Sequence, residues 1–157
     1  MIPVFIIGIS GITITVALHA MATSFIVYLL QKYAMVSHKR HGRRVRPVIL
    51  GFTASALAVK HFADIMLWAV AYRHFAGVDQ FEDFESAVYF SSVTYTSLGY
   101  GDIVLNPGWR IICGIEAMNG IMLFGWSAAL LFVLVQRMWF TQESSAATKS
   151  KNPHGPE

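Results

Sequence analysis

The chain alternates between long apolar stretches and shorter polar ones, and three of the apolar stretches are long enough to cross a membrane. They run from Met1 to Gln31, from Pro47 to Tyr72 and from Trp109 to Phe140. A hydrocarbon layer of ~30 Å needs only ~20 apolar residues in helical form. The first stretch contains no Asp, Glu, Lys or Arg. The pattern therefore predicts three transmembrane helices.

A secretory signal is the alternative interpretation of the first stretch. Such a signal has a basic start, a shorter apolar core and a cleavage site of small residues. The uncharged stretch over residues 1–31 fits this description poorly. We therefore interpret it as a helix that spans the membrane.

A fourth helix is predicted between the second and third stretches, in the sequence DFESAVYFSSVTYT, and it is too short to span. Its acidic first turn suits the positive end of a helix dipole. Gly99 and Gly101 follow it, and each disfavours further helix by roughly 1 kcal/mol relative to alanine. Non-helical backbone at membrane depth is tolerated only where protein buries it or water lines it. We therefore expect a re-entrant helix that returns as extended backbone along an aqueous path.

The composition agrees with a membrane protein, and the distribution of charge predicts its orientation. Apolar residues make up 55% of the chain, and the mean hydropathy is +0.50. Residues 32–46 carry six of the twelve Lys and Arg residues, and a short basic loop between two spans stays cytoplasmic. The N-terminus is thus predicted outside the cell and the C-terminus in the cytoplasm. The segment over residues 73–108 is then outside and largely acidic, which suits cation entry.

Nucleic acid and anionic lipid were both considered as partners of the basic segment over residues 32–46. Orientation already explains its charge, so nucleic acid is not expected as a partner. Anionic lipid head groups are compatible with it, at about 1 kcal/mol per basic residue near the surface. Cys113 is the one cysteine and has no partner for an internal disulfide.

The sequence TYTSLGYGD, from Thr94 to Asp102, resembles the potassium channel signature T-x-T-T-V-G-Y-G-D. Ser97 and Leu98 stand in place of threonine and valine. The resemblance extends to an aromatic pair, Tyr89 and Phe90, and to the glycine spacing of the inner helix in small prokaryotic potassium channels. It covers roughly residues 47–140, and the first span lies outside this two-helix pore unit.

The resemblance implies a selectivity filter at residues Ser97, Leu98, Gly99, Tyr100 and Gly101. Carbonyl oxygens of the first four would bind K⁺, because stacked oxygen rings replace the ion's hydration shell. Asp102 would lie at the outer mouth. The residues that would support the filter from the pore helix are Tyr89, Phe90, Thr94 and Thr96. A weakly selective monovalent cation channel is the main alternative, since serine and leucine replace two signature residues.

The predicted fold is therefore an all-α integral membrane protein with three transmembrane helices, a re-entrant pore helix and a filter loop. Because one chain contributes one loop, four copies are needed to enclose an ion, and a homotetramer in a prokaryotic inner membrane is expected. K⁺ is the permeant ligand, and no cofactor is expected. The predicted regions are an additional N-terminal span at 1–31, a basic cytoplasmic linker at 32–46, a pore domain at 47–140 and a disordered tail at 141–157. Within the pore domain, the outer helix covers 47–73, the pore helix and filter 82–102, and the inner helix 109–140.

Four polar residues inside the spans are candidates for a buried network: Lys60, His61, Asp64 and Glu116. Charged groups at this depth cost about 2.5–3.5 kcal/mol on insertion scales, so they face protein, water or one another. Lys60 and Asp64 are four residues apart and could pair. The cluster could sense pH behind the filter or brace the helices, and we favour bracing.

Two glycines of the inner helix, Gly120 and Gly125, are candidates for a gating hinge because glycine permits bending. Glycine also permits close helix packing in membranes, and this interpretation stays equally open. The sequence does not indicate the gating stimulus.

Two further function classes are weaker alternatives. His38 and His41 form an H-x-x-H pair like one box of a histidine-box membrane metalloenzyme, but no second multi-histidine element follows. The chain could also be a regulatory membrane subunit that does not conduct. We expect a channel and not an enzyme.

Overall fold

The computed structural model describes residues 2–37, 42–75 and 81–139. This part of the chain consists of α-helices and irregular segments, and it contains no strand. Four helices follow one another: α1 (Ile2–Ser37), α2 (Gly42–Phe75), α3 (Phe84–Tyr95) and α4 (Arg110–Trp139). Three of them are long and apolar enough to cross a membrane, over Ile2–Lys32, Arg46–Phe75 and Arg110–Met138. The predicted all-α fold with three spans and one short helix is confirmed, and the chain is a multi-pass membrane protein.

The helices α1 and α2 are longer than the sequence pattern predicts. α1 continues to Ser37 and α2 begins at Gly42, so most of the linker predicted at residues 32–46 is helical. Pro47 was expected to begin the outer helix but lies inside α2. Proline removes one backbone hydrogen bond of the helix, yet α2 continues on both sides of Pro47. The predicted tail at 141–157 lies outside the described residues.

The first span packs against both helices of the predicted pore unit. On α1, Gly8 lies against Ile115 of α4, and Gly11 lies against the Trp68 indole of α2. The Asn119 amide on α4 donates a hydrogen bond to the Thr15 hydroxyl on α1, with an N–O distance of 2.9 Å. Glycine lets neighbouring helices approach closely, and a buried polar contact then fixes their register. α1 is therefore an integral part of the helix bundle.

The short helix α3 is anchored at its N-terminus by a cap and along its side by aromatic rings. Asp83 is the N-cap, and its carboxylate accepts a hydrogen bond from the Ser86 amide at 2.8 Å. Such a cap contributes about 1 kcal/mol to helix stability. Phe90 of α3 meets the Tyr72 ring of α2 edge to face, with centroids 5.0 Å apart. α3 thereby lies against the C-terminal half of α2.

At Gly120, α4 lies directly against the C-terminal end of α3. A Cβ atom at this position would lie 2.0 Å from the backbone oxygen of Tyr95. No side chain fits at such a distance, so the packing of α4 on α3 requires glycine here. This contact gives Gly120 a packing role, and its role as a hinge stays a prediction. Gly125 has no atom within 4 Å of the Cβ position in the described chain.

We expect Gly120→Ala to destabilise the folded protein, because the new methyl group meets a backbone oxygen that cannot turn aside. Overpacking of this kind costs about 1–3 kcal/mol. The thermal unfolding midpoint of the purified protein in detergent measures the effect. Gly51→Ala is the matched control, since Gly51 is exposed on α2 and has no neighbour within 4 Å. Equal midpoints for the two variants would contradict the packing role.

Candidate selectivity filter and its buried supports

The loop after α3 leaves the helix through a short set of backbone hydrogen bonds. The Ser97 amide donates to the Thr94 carbonyl, and the Leu98 amide donates to the Val93 carbonyl, both at 2.9 Å. The Gly99 amide reaches the same Val93 carbonyl at 3.3 Å. Beyond this point, residues 98–101 form neither helix nor strand. The start of the loop is therefore fixed to the last turn of α3.

The loop backbone alternates in handedness. Ser97, Gly99 and Gly101 have positive φ values of 60°, 56° and 78°, whereas Leu98 and Tyr100 between them do not. Glycine adopts positive φ at no steric cost, which explains the two glycines. Alternation of this kind turns successive peptide groups so that their carbonyl oxygens point to the same side. A row of oxygens facing one direction is the arrangement that a dehydrated cation requires.

Ser97 is the one non-glycine residue with positive φ in the described chain. The left-handed conformation costs an ordinary residue roughly 1–2 kcal/mol. It is worse for a β-branched side chain such as threonine. Serine at this position therefore reduces the strain of the loop and keeps a hydroxyl oxygen beside the carbonyls.

The side chains of Leu98 and Tyr100 lie on the surface of the single chain. They are 60% and 68% exposed. Residues of its own described chain thus leave most of the Tyr100 ring uncovered. Large apolar groups exposed beside a polar loop indicate a contact surface.

Asp102, the predicted outer-mouth residue, is held by Tyr89 of α3. The Tyr89 hydroxyl donates a hydrogen bond to the Asp102 carboxylate, with an O–O distance of 2.7 Å. This hydrogen bond favours the ionised form and lowers the pKa of the Asp102 carboxyl below its ordinary value. The negative charge at this end of the loop is therefore retained at neutral pH.

The other residues predicted to support the filter occupy distinct positions on α3. Phe90 is buried in the aromatic cluster with Tyr72 and Phe81. Thr96 caps the C-terminus of α3, and its hydroxyl donates to the Ser92 carbonyl at 2.7 Å. Thr94 lines a cavity of about 430 Å³ between the loop, α3 and α4. Other residues on the cavity wall include Val93, Gly99, Leu105, Cys113 and Gly114.

A family described as an ion channel matches residues 51–137, which is more than half of the chain. The chain belongs to this ion channel family. The match contains most of α2, all of α3, the loop and most of α4, whereas α1 lies outside it. None of the curated proteins and none of the solved structures compared with the chain gave a match.

Glu116 of the channel joins the inner helix to α2 and α3. Its carboxylate accepts a hydrogen bond from the Ser91 hydroxyl of α3 at 2.6 Å and another from the Tyr72 hydroxyl of α2. Ser91 also lies 2.9 Å from the Ile65 carbonyl of α2. Glu116 is completely buried. Both carboxylate oxygens thus have partners, as a buried polar group requires.

His61 and Asp64 belong to a second polar set, one helical turn further along α3. The Asp64 carboxylate pairs with Lys60 at 2.5 Å and lies 3.3 Å from the Tyr95 hydroxyl. The ring nitrogens of His61 lie 3.0 Å from that hydroxyl and 2.9 Å from the Ser127 hydroxyl. The channel therefore divides the four predicted residues between two networks, with Glu116 in one and Lys60, His61 and Asp64 in the other.

Several residues of these networks were not singled out from the sequence as partners of the cluster. They are His19, Tyr72, Ser91, Tyr95, Asn119 and Ser127. His19 carried a usable signal, because an ionisable residue inside an apolar span is a candidate functional residue by default. Hydroxyl residues carried none, since serine and tyrosine are common in spans and their partners depend on helix packing.

We expect Glu116→Gln to keep most of the stability of the channel, because glutamine still offers an acceptor oxygen and a donor group to Tyr72 and Ser91. Glu116→Leu leaves two buried hydroxyl groups with fewer partners and should cost a few kcal/mol. Thermal unfolding in detergent and the yield of the assembled oligomer measure both variants. A stable Glu116→Gln channel that has lost a large pH dependence of open probability would instead support pH sensing.

Proposed function

We propose that the chain is a potassium-selective channel that conducts K⁺ passively through the loop over residues 97–101. The observation that carries the proposal is the alternating handedness of this loop directly after α3. In this proposal, carbonyl oxygens of Ser97, Leu98, Gly99 and Tyr100 replace the hydration shell of K⁺. The Ser97 hydroxyl adds the innermost ring of oxygens, and Asp102 draws cations to the outer mouth.

The proposed assembly is a homotetramer with the loop of each chain around one axis. One loop supplies oxygens from one side only, so a closed ring needs several copies of the chain. The exposed side chains of Leu98 and Tyr100 support this assembly, because a neighbouring copy would cover their apolar surface. The negative charge of Asp102 would then be repeated around the mouth.

A weakly selective cation channel is the alternative function, and the two functions differ only in how well the loop discriminates between ions. Leucine is bulkier than valine behind the carbonyls, and serine lacks the methyl group of threonine. Both changes affect how firmly the oxygen rings are held, so they bear on the discrimination between K⁺ and Na⁺. Ion flux distinguishes both channels from a regulatory subunit that does not conduct.

Reconstitution of the purified protein in liposomes tests the function. We expect reversal potentials that follow the K⁺ gradient and respond weakly to a Na⁺ gradient.

Gly99→Ala should lose most of the selective K⁺ flux, since alanine at a φ of 56° costs roughly 1–2 kcal/mol and disturbs the row of carbonyls. Gly51→Ala, on the exposed face of α2, should conduct like the parent protein. Reversal potentials that respond equally to K⁺ and Na⁺ would favour the weakly selective channel, and parental selectivity in Gly99→Ala would refute the filter assignment.

The proposed orientation places the N-terminus outside the cell and the C-terminus in the cytoplasm, because basic residues cluster where the chain passes from α1 to α2, over residues 32–46. Cysteines introduced in place of Ser37 and Gln80, in a Cys113→Ser background, should react with a membrane-impermeant thiol reagent from opposite sides. The position of Gln80 should be accessible from outside. Reaction of both positions from the same side would contradict the orientation.

A further inference from the structure

The four helices meet at a buried cluster that the conduction path does not use. It contains His19 of α1, His61 and Asp64 of α2, Tyr95 of α3 and Ser127 of α4, all of them buried. The Ser127 hydroxyl lies 2.9 Å from one ring nitrogen of His61 and 3.4 Å from Nε2 of His19. The rings of the two histidines are 5.4 Å apart, centre to centre. The cluster is therefore a second polar contact between the first span and the other helices, besides the hydrogen bond from Asn119 to Thr15.

The Lys60–Asp64 ion pair determines which groups of this cluster donate hydrogen bonds and which accept them. Asp64 is paired with Lys60 and accepts the hydrogen of the Tyr95 hydroxyl. Tyr95 then has no hydrogen left for His61, so Nδ1 of His61 must donate to Tyr95, and the neutral ring keeps a lone pair on Nε2. That lone pair accepts the Ser127 hydrogen, and Nε2 of His19 donates to the Ser127 oxygen. A neutral His19 consequently carries a bare lone pair on Nδ1.

Nδ1 of His19 has no hydrogen-bond partner, although it is buried and the residue is 0% exposed. A buried polar atom without a partner calls for an explanation, and water and a bound ion are two of those that apply. One nitrogen of His19, one nitrogen of His61 and one carboxylate oxygen of Asp64 all lie within 4.8 Å of one another. His61 and Asp64 are three residues apart on α2, so they share one face of the helix.

We propose that His19, His61 and Asp64 bind a divalent transition-metal ion of the Zn²⁺ type. Two imidazole nitrogens and one carboxylate oxygen form a ligand set that Zn²⁺ accepts, with bonds of about 2.0–2.2 Å and a fourth position left open. Imidazole ligands also favour such an ion over K⁺, which prefers oxygen. The three ligand atoms, which lie within 4.8 Å of one another, must move closer together to bind one ion, and the ion then takes the place of a hydroxyl hydrogen bond to His61.

The bound ion joins α1 to α2 beside Tyr95, the last residue of α3 before the loop. Lys60 opposes binding, because its ammonium group occupies one oxygen of Asp64 and adds a positive charge near the site. The affinity of the site for the ion would therefore rise with any movement that separates Lys60 from Asp64. This inference concerns the link between the first span and the channel, and it does not depend on which ion the channel conducts.

Metal analysis of the full-length protein without an affinity tag tests the site. The background variant carries alanine at His38, His41 and His154, so that histidines outside the described helices do not bind metal. After removal of metal with a chelator and dialysis against Zn²⁺, we expect one Zn²⁺ per chain and a higher thermal unfolding midpoint. Co²⁺ should give visible absorption bands typical of a site with nitrogen ligands.

His19→Gln is the decisive variant, because glutamine keeps a donor for Ser127 while removing the imidazole. It should bind Zn²⁺ at least about tenfold more weakly, as expected for the loss of one ligand in three, whereas His74→Ala on the exposed end of α2 should bind like the background. Lys60→Gln should bind more tightly, since it frees Asp64. Absence of Zn²⁺ from the background protein, or equal binding by the background and His19→Gln, would overturn the proposal. Loss of folding in Lys60→Gln that Zn²⁺ restores would support it.

Discussion

The structure depends on one constraint, which is that the backbone beyond α3 cannot use lipid as a hydrogen-bond partner. A chain that stops being helical at membrane depth must be held by protein or water. Here the last turn of α3 carries the loop, and three helices hold that turn. α2 reaches it through Asp64 and His61, α4 approaches it at Gly120, and α1 adds His19 through Ser127.

The same constraint explains why polar groups lie in two layers along α3. Ser91 and Tyr95 are one turn apart, and each contacts a different carboxylate. The separate layers keep the two carboxyl groups of Asp64 and Glu116 apart, on different turns of α3. Lys60 neutralises one layer, and hydroxyl donors satisfy the other. Rigidity at the end of α3 thus comes from short polar contacts as well as from ring packing.

The spans and the short helix were predictable because they depend on local features, namely apolar length and the helix-breaking glycines. The Lys60 and Asp64 contact was accessible for the same reason, since both residues lie on one helix. The contacts of His19, Ser127 and Tyr95 depend on how separate helices cross, and their sequence spacing carries no such information. The start of α2 was expected at Pro47 because the apolar run begins there, whereas the helix begins at Gly42, within the basic residues that precede this run.

The early start of α2 has an electrostatic consequence for the membrane surface. Gly42 begins the helix, and Arg43, Arg44 and Arg46 follow within its first turns. The N-terminal end of a helix carries roughly half a positive charge, so cationic residues there oppose the helix dipole instead of complementing it. Free backbone amides at such an end attract phosphate groups. The start of α2 therefore combines a basic sequence with the positive end of a helix, and both attract anions.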